Sequence, residues 1–143
     1  MKKTNKGFSL LELLIVVAII LIIATIAIPS LLRSRQAANE SAAVANLRTI
    51  NTAQVTYLSS SGGNYGNLPA LVSAGLLDST FTAGAKAGYN FSVTALASDY
   101  TAYATPASTN TGRFGYYSTP DAVVRYSTVT TLAPAGQAGN AVQ

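Results

Sequence analysis

The stretch Lys6-Gly7-Phe8-Ser9-Leu10-Leu11-Glu12 opens a long apolar segment, and this part of the chain decides the fold. Residues 13–28 carry no charged side chain, and Thr25 supplies their only hydroxyl group. At a rise of about 1.5 Å per residue, a helix over residues 8–28 would cross the hydrocarbon core of a bilayer, which is about 30 Å thick. The stretch therefore predicts a long apolar helix with a single acid, Glu12, near its start.

Two common kinds of segment explain this stretch only in part. A cleaved secretory signal would have a basic start, which the three lysines within residues 2–6 supply, and a small-residue cleavage site such as Thr25-Ile26-Ala27. Its apolar core would normally hold about 7 to 15 residues, and this core is longer. A plain transmembrane anchor fits the length and the basic flank, but it explains neither Gly7 nor Glu12. An ionised carboxylate without a partner in lipid costs on the order of a few kcal/mol, so Glu12 needs an explanation.

A third interpretation covers both residues, because the segment resembles the leader of type IV pilins and of the pseudopilins of type II secretion systems. The shared pattern is a short basic peptide that ends in Gly7, then Phe8, then an acid at the fifth position after the cleavage point, here Glu12, and then an apolar helix. Pro29 stands where the long helix of this family usually bends, and a proline inside a helix favours a kink. The chain is identified on these residues as a member of this family.

The resemblance implies a processing reaction. A prepilin peptidase would cut between Gly7 and Phe8 on the cytoplasmic side, and the new amino group of Phe8 would be methylated. Glycine suits the cleavage position, because a residue without a side chain lets a protease approach the backbone closely. In filaments of this family, the acid that matches Glu12 is thought to pair with the Phe8 amine of a neighbouring subunit. We therefore expect Glu12 to set the register between subunits.

The resemblance also implies a function and a location. The subunit would lie in the inner membrane and then polymerise through its apolar helix, with the help of an inner-membrane assembly machinery. The product would be a homo-oligomeric helical filament, outside the cell or in the periplasm, of a type IV pilus or a related kind. One alternative is a pseudopilin of a type II secretion system. Another is a secreted or membrane-anchored binding domain, which with an ordinary signal would begin near Ile28.

Composition excludes several other functions. The formal net charge is +4, but three of the nine basic side chains lie in residues 1–7, which leaves six basic and five acidic side chains beyond them. A nearly neutral chain of this kind does not predict nucleic acid as a partner. The sequence has no cysteine and no histidine, which excludes the common zinc and copper sites and the usual Ser/His and Cys/His nucleophile pairs.

We therefore predict that the chain is not an enzyme and needs no metal or cofactor. The acids Asp78, Asp99 and Asp121 lie far apart in the sequence, and each is interpreted as a turn or cap residue. The absence of cysteine also excludes a disulfide within these 143 residues. Many pilins close a C-terminal loop with a disulfide, so other interactions must hold that region here.

The predicted fold is α+β and pilin-like, a long helix packed on a small antiparallel sheet of about four strands. Its parts are the leader (1–7), the transmembrane or filament-core helix (8–29), the amphipathic half of the helix (30–61), a connecting loop (62–86), the sheet (87–128) and a flexible tail (129–143). The predicted strands are 89–95, 100–105, 113–117 and 123–126, joined by turns too short for a crossover helix. A short helix is predicted at 68–78, with Pro69 in its first turn.

Helical periodicity predicts which side of residues 30–61 faces the sheet. Apolar residues recur at spacings of three, four and seven and should form that buried side: Val44, Leu47, Ile50, Tyr57 and Leu58. Polar residues of the same segment should lie mostly elsewhere on the helix: Asn39, Glu40, Asn46, Arg48 and Asn51.

Overall fold

The computed structural model of the chain describes residues 7–127 and 139–142. They form a long helix and an antiparallel sheet, which confirms the predicted α+β arrangement. The helices are α1 (Leu10–Ser60), α2 (Leu68–Ser73) and a single 3-10 turn (Ser79–Phe81). The strands are β1 (Tyr89–Ala95), β2 (Tyr100–Pro106), β3 (Gly115–Ser118), β4 (Val124–Ser127) and β5 (Asn140–Ala141), in the spatial order β1-β2-β3-β4-β5. Each strand is antiparallel to its neighbour.

The chain divides into two compact units, with the boundary between Ser34 and Arg35. The first unit contains the apolar part of α1, and the helix passes through Pro29 without interruption. Proline has no backbone N–H, so the Thr25 carbonyl lacks its usual helical donor. The Thr25 hydroxyl donates to the Ile22 carbonyl at 2.7 Å, one turn before the proline. A bend at Pro29 stays a prediction.

In the second unit, the remainder of α1 and the sheet share one hydrophobic core. Leu47 and Ile50 are fully buried, and Val44 is nearly so, as the periodicity predicted, while Tyr57 and Leu58 are half-buried. The sheet contributes mainly aromatic residues and alanines: Tyr89, Phe91, Tyr100, Ala102, Ala104 and Tyr116.

The prediction that the polar residues of this helix lie elsewhere is wrong for two of them. Glu40 and Asn51 are buried, at 6% and 5% exposure, and Gln54 is completely buried. Asn39 and Asn46 are half-buried, whereas Arg48 is exposed as expected. A buried polar group is tolerated only when it is hydrogen-bonded. Periodicity of apolar residues cannot foresee such partners, because they come from distant loops.

The sheet has five strands where about four were predicted. The fifth, β5, pairs with β4 through Arg125 opposite Ala141 and lies in the segment predicted as a flexible tail. This strand was not predicted, because its segment has little apolar content and is held by backbone pairing with β4. The flexibility of the tail as a whole stays a prediction. The rest of the predicted tail, residues 129–138 and 143, lies outside the described residues, as do residues 1–6 of the predicted leader.

The connecting segment contains a shorter helix than predicted. The Asn67 side chain caps α2 by accepting from the backbone N–H of Ala70 at 3.0 Å. The helix ends at Ser73, because Gly75 adopts a left-handed conformation with φ 71°. Asp78 accepts from the backbone N–H of Thr80 at 2.7 Å and caps the following 3-10 turn, which agrees with its predicted role.

Candidate functional site

The predicted cleavage point lies outside the helix and is open to solvent. Gly7, Phe8 and Ser9 precede α1 in a non-helical conformation. The Phe8 side chain is 81% exposed, and a side-chain carbon built on Gly7 would meet no atom within 4 Å. An uncovered peptide bond outside the helix, such as the one between Gly7 and Phe8, is accessible to a protease.

Glu12 is held at the start of its own helix by Ser9. The Glu12 Oε2 atom accepts from the backbone N–H of Ser9 at 2.9 Å, and the Ser9 hydroxyl accepts from the backbone N–H of Leu11 at 3.3 Å. Residues Ser9 and Glu12 thus form a capping box, in which two N–H groups without helical partners are satisfied by side chains. The negative charge also lies at the positive end of the helix dipole.

The capping box gives the acid a local structural role. Sequence reasoning missed Ser9, although the pattern Ser-x-x-Glu before an apolar run was a readable signal. The second carboxylate oxygen of Glu12, Oε1, has no hydrogen-bond partner among the residues that the structure describes. One oxygen therefore remains available for a group outside this unit.

The helix that follows is apolar and exposed on every side. Side chains from Leu10 to Leu32 remain uncovered, with 81% exposure at Leu10, 73% at Ile26 and 69% at Leu31. By length and composition, α1 is the one helix of the described chain that could cross a membrane. So large an uncovered apolar surface indicates burial in lipid or against other chains.

In the second unit, an ion pair between the buried Glu40 and the exposed Arg113 attaches the loop between β2 and β3 to α1. Arg113 donates from Nε to Glu40 Oε1 at 3.0 Å and from a terminal nitrogen to Oε2 at 2.8 Å, and its backbone N–H donates to Oε1 at 2.8 Å. Burial raises the pKa of the Glu40 carboxyl, but the hydrogen bonds and the charge of Arg113 outweigh burial, so this pKa lies below its ordinary value.

The same loop has two further attachments to the helix. The side-chain amide of Asn39 donates to the Thr111 carbonyl at 2.9 Å, and that of Gln36 donates to the Thr109 carbonyl at 3.2 Å. We call Gln36, Asn39 and Glu40 together the loop clamp. Because Arg113 uses its backbone N–H for the clamp, β3 begins at Gly115 and not at residue 113 as predicted.

Two buried amides complete the polar contacts of α1. Asn51 donates to the Ser118 hydroxyl at 2.8 Å and accepts from the Tyr100 hydroxyl at 2.9 Å. Gln54 donates to the Gly66 carbonyl at 2.6 Å and accepts from the Gly66 N–H at 3.0 Å. These contacts and the loop clamp fix the sheet and the connecting segment to α1.

Asp121 has a local role in the turn between β3 and β4. Asp121 accepts from the Thr119 hydroxyl and from the Val123 N–H, and it pairs with Arg125. The hydrogen bond from Arg125 lowers the pKa of Asp121 to about 2. Within residues 7–127 and 139–142, no group of three or more acids lies close enough to hold a metal ion.

Comparison with known proteins finds a sequence motif that matches the N-terminal segment and two proteins that are similar to this chain. Residues 2–28 match the model of the prokaryotic N-terminal methylation motif. The chain is 42% identical over 74 residues to the type IV wide pilus major component PilA4 of Thermus thermophilus, a match that covers 52% of this chain and 56% of that protein. It is 47% identical over 55 residues to the type IV major pilin protein PilA of Myxococcus xanthus, over 38% of this chain and 25% of that protein.

These matches are partial. The chain spans about half the length of the Thermus protein and a quarter of the Myxococcus protein. No solved structure matches it significantly.

A match to the N-terminal methylation motif, an exposed apolar N-terminal helix and an α+β unit that follows it in the sequence place the chain in the class of proteins in which an apolar N-terminal helix precedes a folded unit. Within that class, the motif and the two similarities support the type IV pilin family for this chain.

Proposed function

We propose that this chain is a structural subunit of a type IV pilus or a related filament. In this proposal it is inserted in the inner membrane, cleaved by a prepilin peptidase after Gly7, methylated on the amino group of Phe8 and polymerised through its apolar helix. The observation that carries the proposal is the uncovered apolar surface of residues 10–32, most of which lies within the match to the methylation motif at residues 2–28. A surface of this kind needs lipid before assembly and identical helices afterwards.

The transfer of this helix from lipid to a filament core has a small hydrophobic free-energy change, because both environments are apolar. Directionality must therefore come from the inner-membrane assembly machinery. The finished homo-oligomer would lie outside the cell or in the periplasm. A structural role without catalysis agrees with the names of the two relatives, which are pilus components.

Glu12 is proposed to pair with the Phe8 ammonium group of a neighbouring subunit. Its Oε2 atom is occupied by Ser9, and its Oε1 atom has no partner among the described residues, so it can accept from a second chain while the capping box stays intact. Charge pairs in an apolar environment are favoured mainly because an unpaired charge there is so unfavourable. The pair would therefore fix register more than it adds stability.

The alternative of a type II secretion pseudopilin is less well supported, since both relatives are named as pilins. A secreted domain with an ordinary signal would lose residues 1 to about 27, and with them the apolar surface.

The intact mass and N-terminal sequence of the mature protein test this proposal. We expect a chain that begins at Phe8 with a methylated amino group and keeps its apolar helix. A chain that begins near Ile28 would refute the proposal. A Gly7→Val variant is the matched comparison, because it adds a branched side chain at the cleavage position and should accumulate as the uncut precursor.

A further inference from the structure

Two arginines lie at the end of the apolar segment, and the proposed function gives them no role. Arg33 and Arg35 follow Leu32 directly. The residues between Glu12 and Arg33 carry no charge, and at about 1.5 Å per residue they span about 30 Å, the thickness of the hydrocarbon core. In an inserted subunit, the Glu12 carboxylate and the Arg33 guanidinium group would therefore lie at the two opposite surfaces of the core.

In the described part of the chain, Arg33 and Arg35 have no partner. Both are exposed, and neither side chain has an ion-pair or hydrogen-bond partner among residues 7–127 and 139–142. The arginines of the sheet region differ, because Arg113 is paired with Glu40 and Arg125 with Asp121. The guanidinium groups of Arg33 and Arg35 are thus available to a ligand outside the chain.

The position of these two positive charges, at the outer end of the span, also favours pairing with a negatively charged group. Basic residues next to a membrane span favour the cytoplasmic side, but Arg33 and Arg35 follow the span on the opposite side when the leader is cytoplasmic. Cleavage after Gly7 removes three lysines from the cytoplasmic end and leaves the two arginines in place. After processing, the basic side chains that flank the span are all at its outer end.

Lipid phosphate fits this position. A guanidinium group presents parallel N–H donors that match two phosphate oxygens, and its long apolar stem can lie along the hydrocarbon while the charged end reaches the headgroups. We propose that Arg33, together with Arg35, binds the phosphate groups of lipids in the outer leaflet and so fixes the depth at which α1 is inserted. This inference rests on the membrane stage of the proposed function.

Solid-state NMR on the full chain tests the contact directly. The protein would carry arginine labelled with carbon-13 at the guanidinium carbon and would be reconstituted in vesicles of phosphatidylcholine and phosphatidylglycerol. Phosphorus-31 close to a labelled carbon reduces that carbon's signal. We expect part of the arginine signal to be reduced in this way, and the reduction to be lost in the Arg33→Gln/Arg35→Gln double variant.

Arg48→Gln is the matched control. Arg48 is also exposed and has no ion-pair partner in the described chain, but it lies beside Tyr116 and Val142, about 20 Å further along α1 than Arg35 at about 1.5 Å per residue. Its replacement should leave the phosphorus effect unchanged. An effect that persists in the double variant, or that is lost equally in Arg48→Gln, would overturn the inference.

Two further outcomes are decisive. If the chain inserts and no phosphorus effect is seen, the lipid contact is refuted while the filament proposal stands. If the chain does not insert at all, the inference fails together with the membrane stage of the proposed function. A second sample, in a phosphate-free sugar detergent with soluble inorganic phosphate, should show no effect. An equal effect there would indicate simple anion binding and would refute the lipid assignment.

Discussion

At the scale of single residues, Ser9 and Glu12 show how one acid can have a local and an intermolecular role. The capping box satisfies two backbone N–H groups at the start of α1 with one hydroxyl and one carboxylate oxygen. The acid that seemed out of place in an apolar segment is therefore a typical residue for the third position of a helix.

Replacement of Ser9 by Ala should loosen the first turn of α1. Loss of a serine cap costs about 1 kcal/mol, because an N–H donor loses its acceptor. We expect faster amide hydrogen exchange at Leu11 and Leu13 in detergent micelles. Ser9→Thr keeps the hydroxyl and should retain the slow exchange; equal exchange in all three proteins would show that Ser9 does not cap the helix.

Gly112 is a second residue with a specific steric role. A Cβ atom at this position would lie 2.0 Å from the Tyr89 hydroxyl oxygen, and Tyr89 is fully buried and donates to the Phe114 carbonyl at 2.9 Å. Gly112→Ala should therefore lower the free energy of unfolding by about 1–3 kcal/mol, as overpacking usually does.

The measurement is urea unfolding followed by tyrosine circular dichroism. Gly63→Ala is a useful comparison, because that glycine has open space around it but a positive φ of 89°, so it reports strain without a clash. If Gly112→Ala and Gly63→Ala destabilise equally, packing against Tyr89 is not the cause.

At the scale of elements, the sequence predicted the long helix and four of the strands well, because apolar periodicity is a local property. It failed for Glu40 and Asn51, which are buried because Arg113 and Ser118 provide partners from far along the chain. It also failed to predict β5, because the residues of this strand show almost no alternation of apolar and polar side chains. They are held by pairing with β4. The start of the helix was predictable from motif residues, but the capping contact was not recognised.

Two acids of the second unit, Glu40 of the loop clamp and Asp121 beside Arg125, make the stability of this unit depend on pH. The folded pKa values of Glu40 and Asp121 are both lower than their ordinary values, so the unfolded chain takes up protons first as the pH falls. The stability that these carboxylates contribute is complete above about pH 5 and decreases as the pH falls toward about 2.

Removal of the Glu40 carboxylate should remove part of this dependence. We expect Glu40→Ala to lower the free energy of unfolding at pH 7 by about 2 kcal/mol, because the Arg113 N–H loses its acceptor, and to show a smaller further loss in acid. Thermal unfolding at pH 7 and pH 3 measures both effects. An Asp99→Ala variant should keep the wild-type acid dependence, and a Glu40→Ala protein that keeps it too would contradict the role of the clamp.

At the scale of the whole molecule, the two units differ in how their apolar side chains are covered. Residues 7–34 expose apolar side chains that require lipid or other subunits, whereas the second unit buries its own core and satisfies its own buried amides and acids. Assembly is therefore expected to depend on the first unit, and the second unit is expected to determine the surface that a filament presents.

Replacement of Glu12 tests whether filament assembly depends on the first unit. Glu12→Ala removes the carboxylate that would accept the Phe8 ammonium group, so we expect few or no filaments by electron microscopy while the subunit still accumulates in the membrane. Glu40→Gln, which changes an acid of the second unit, should leave assembly possible. Normal filament yield with Glu12→Ala would refute the register role of this acid.

The absence of cysteine from these 143 residues has a consequence for maturation. The contacts of the loop clamp and of the Asn51 and Gln54 amides are non-covalent, so they involve no change in oxidation state. The second unit can therefore reach its final form without a thiol oxidase, and reducing agents should leave its stability unchanged. A filament built from such subunits would not depend on an oxidising compartment for its stability. It would instead be sensitive to strong acid.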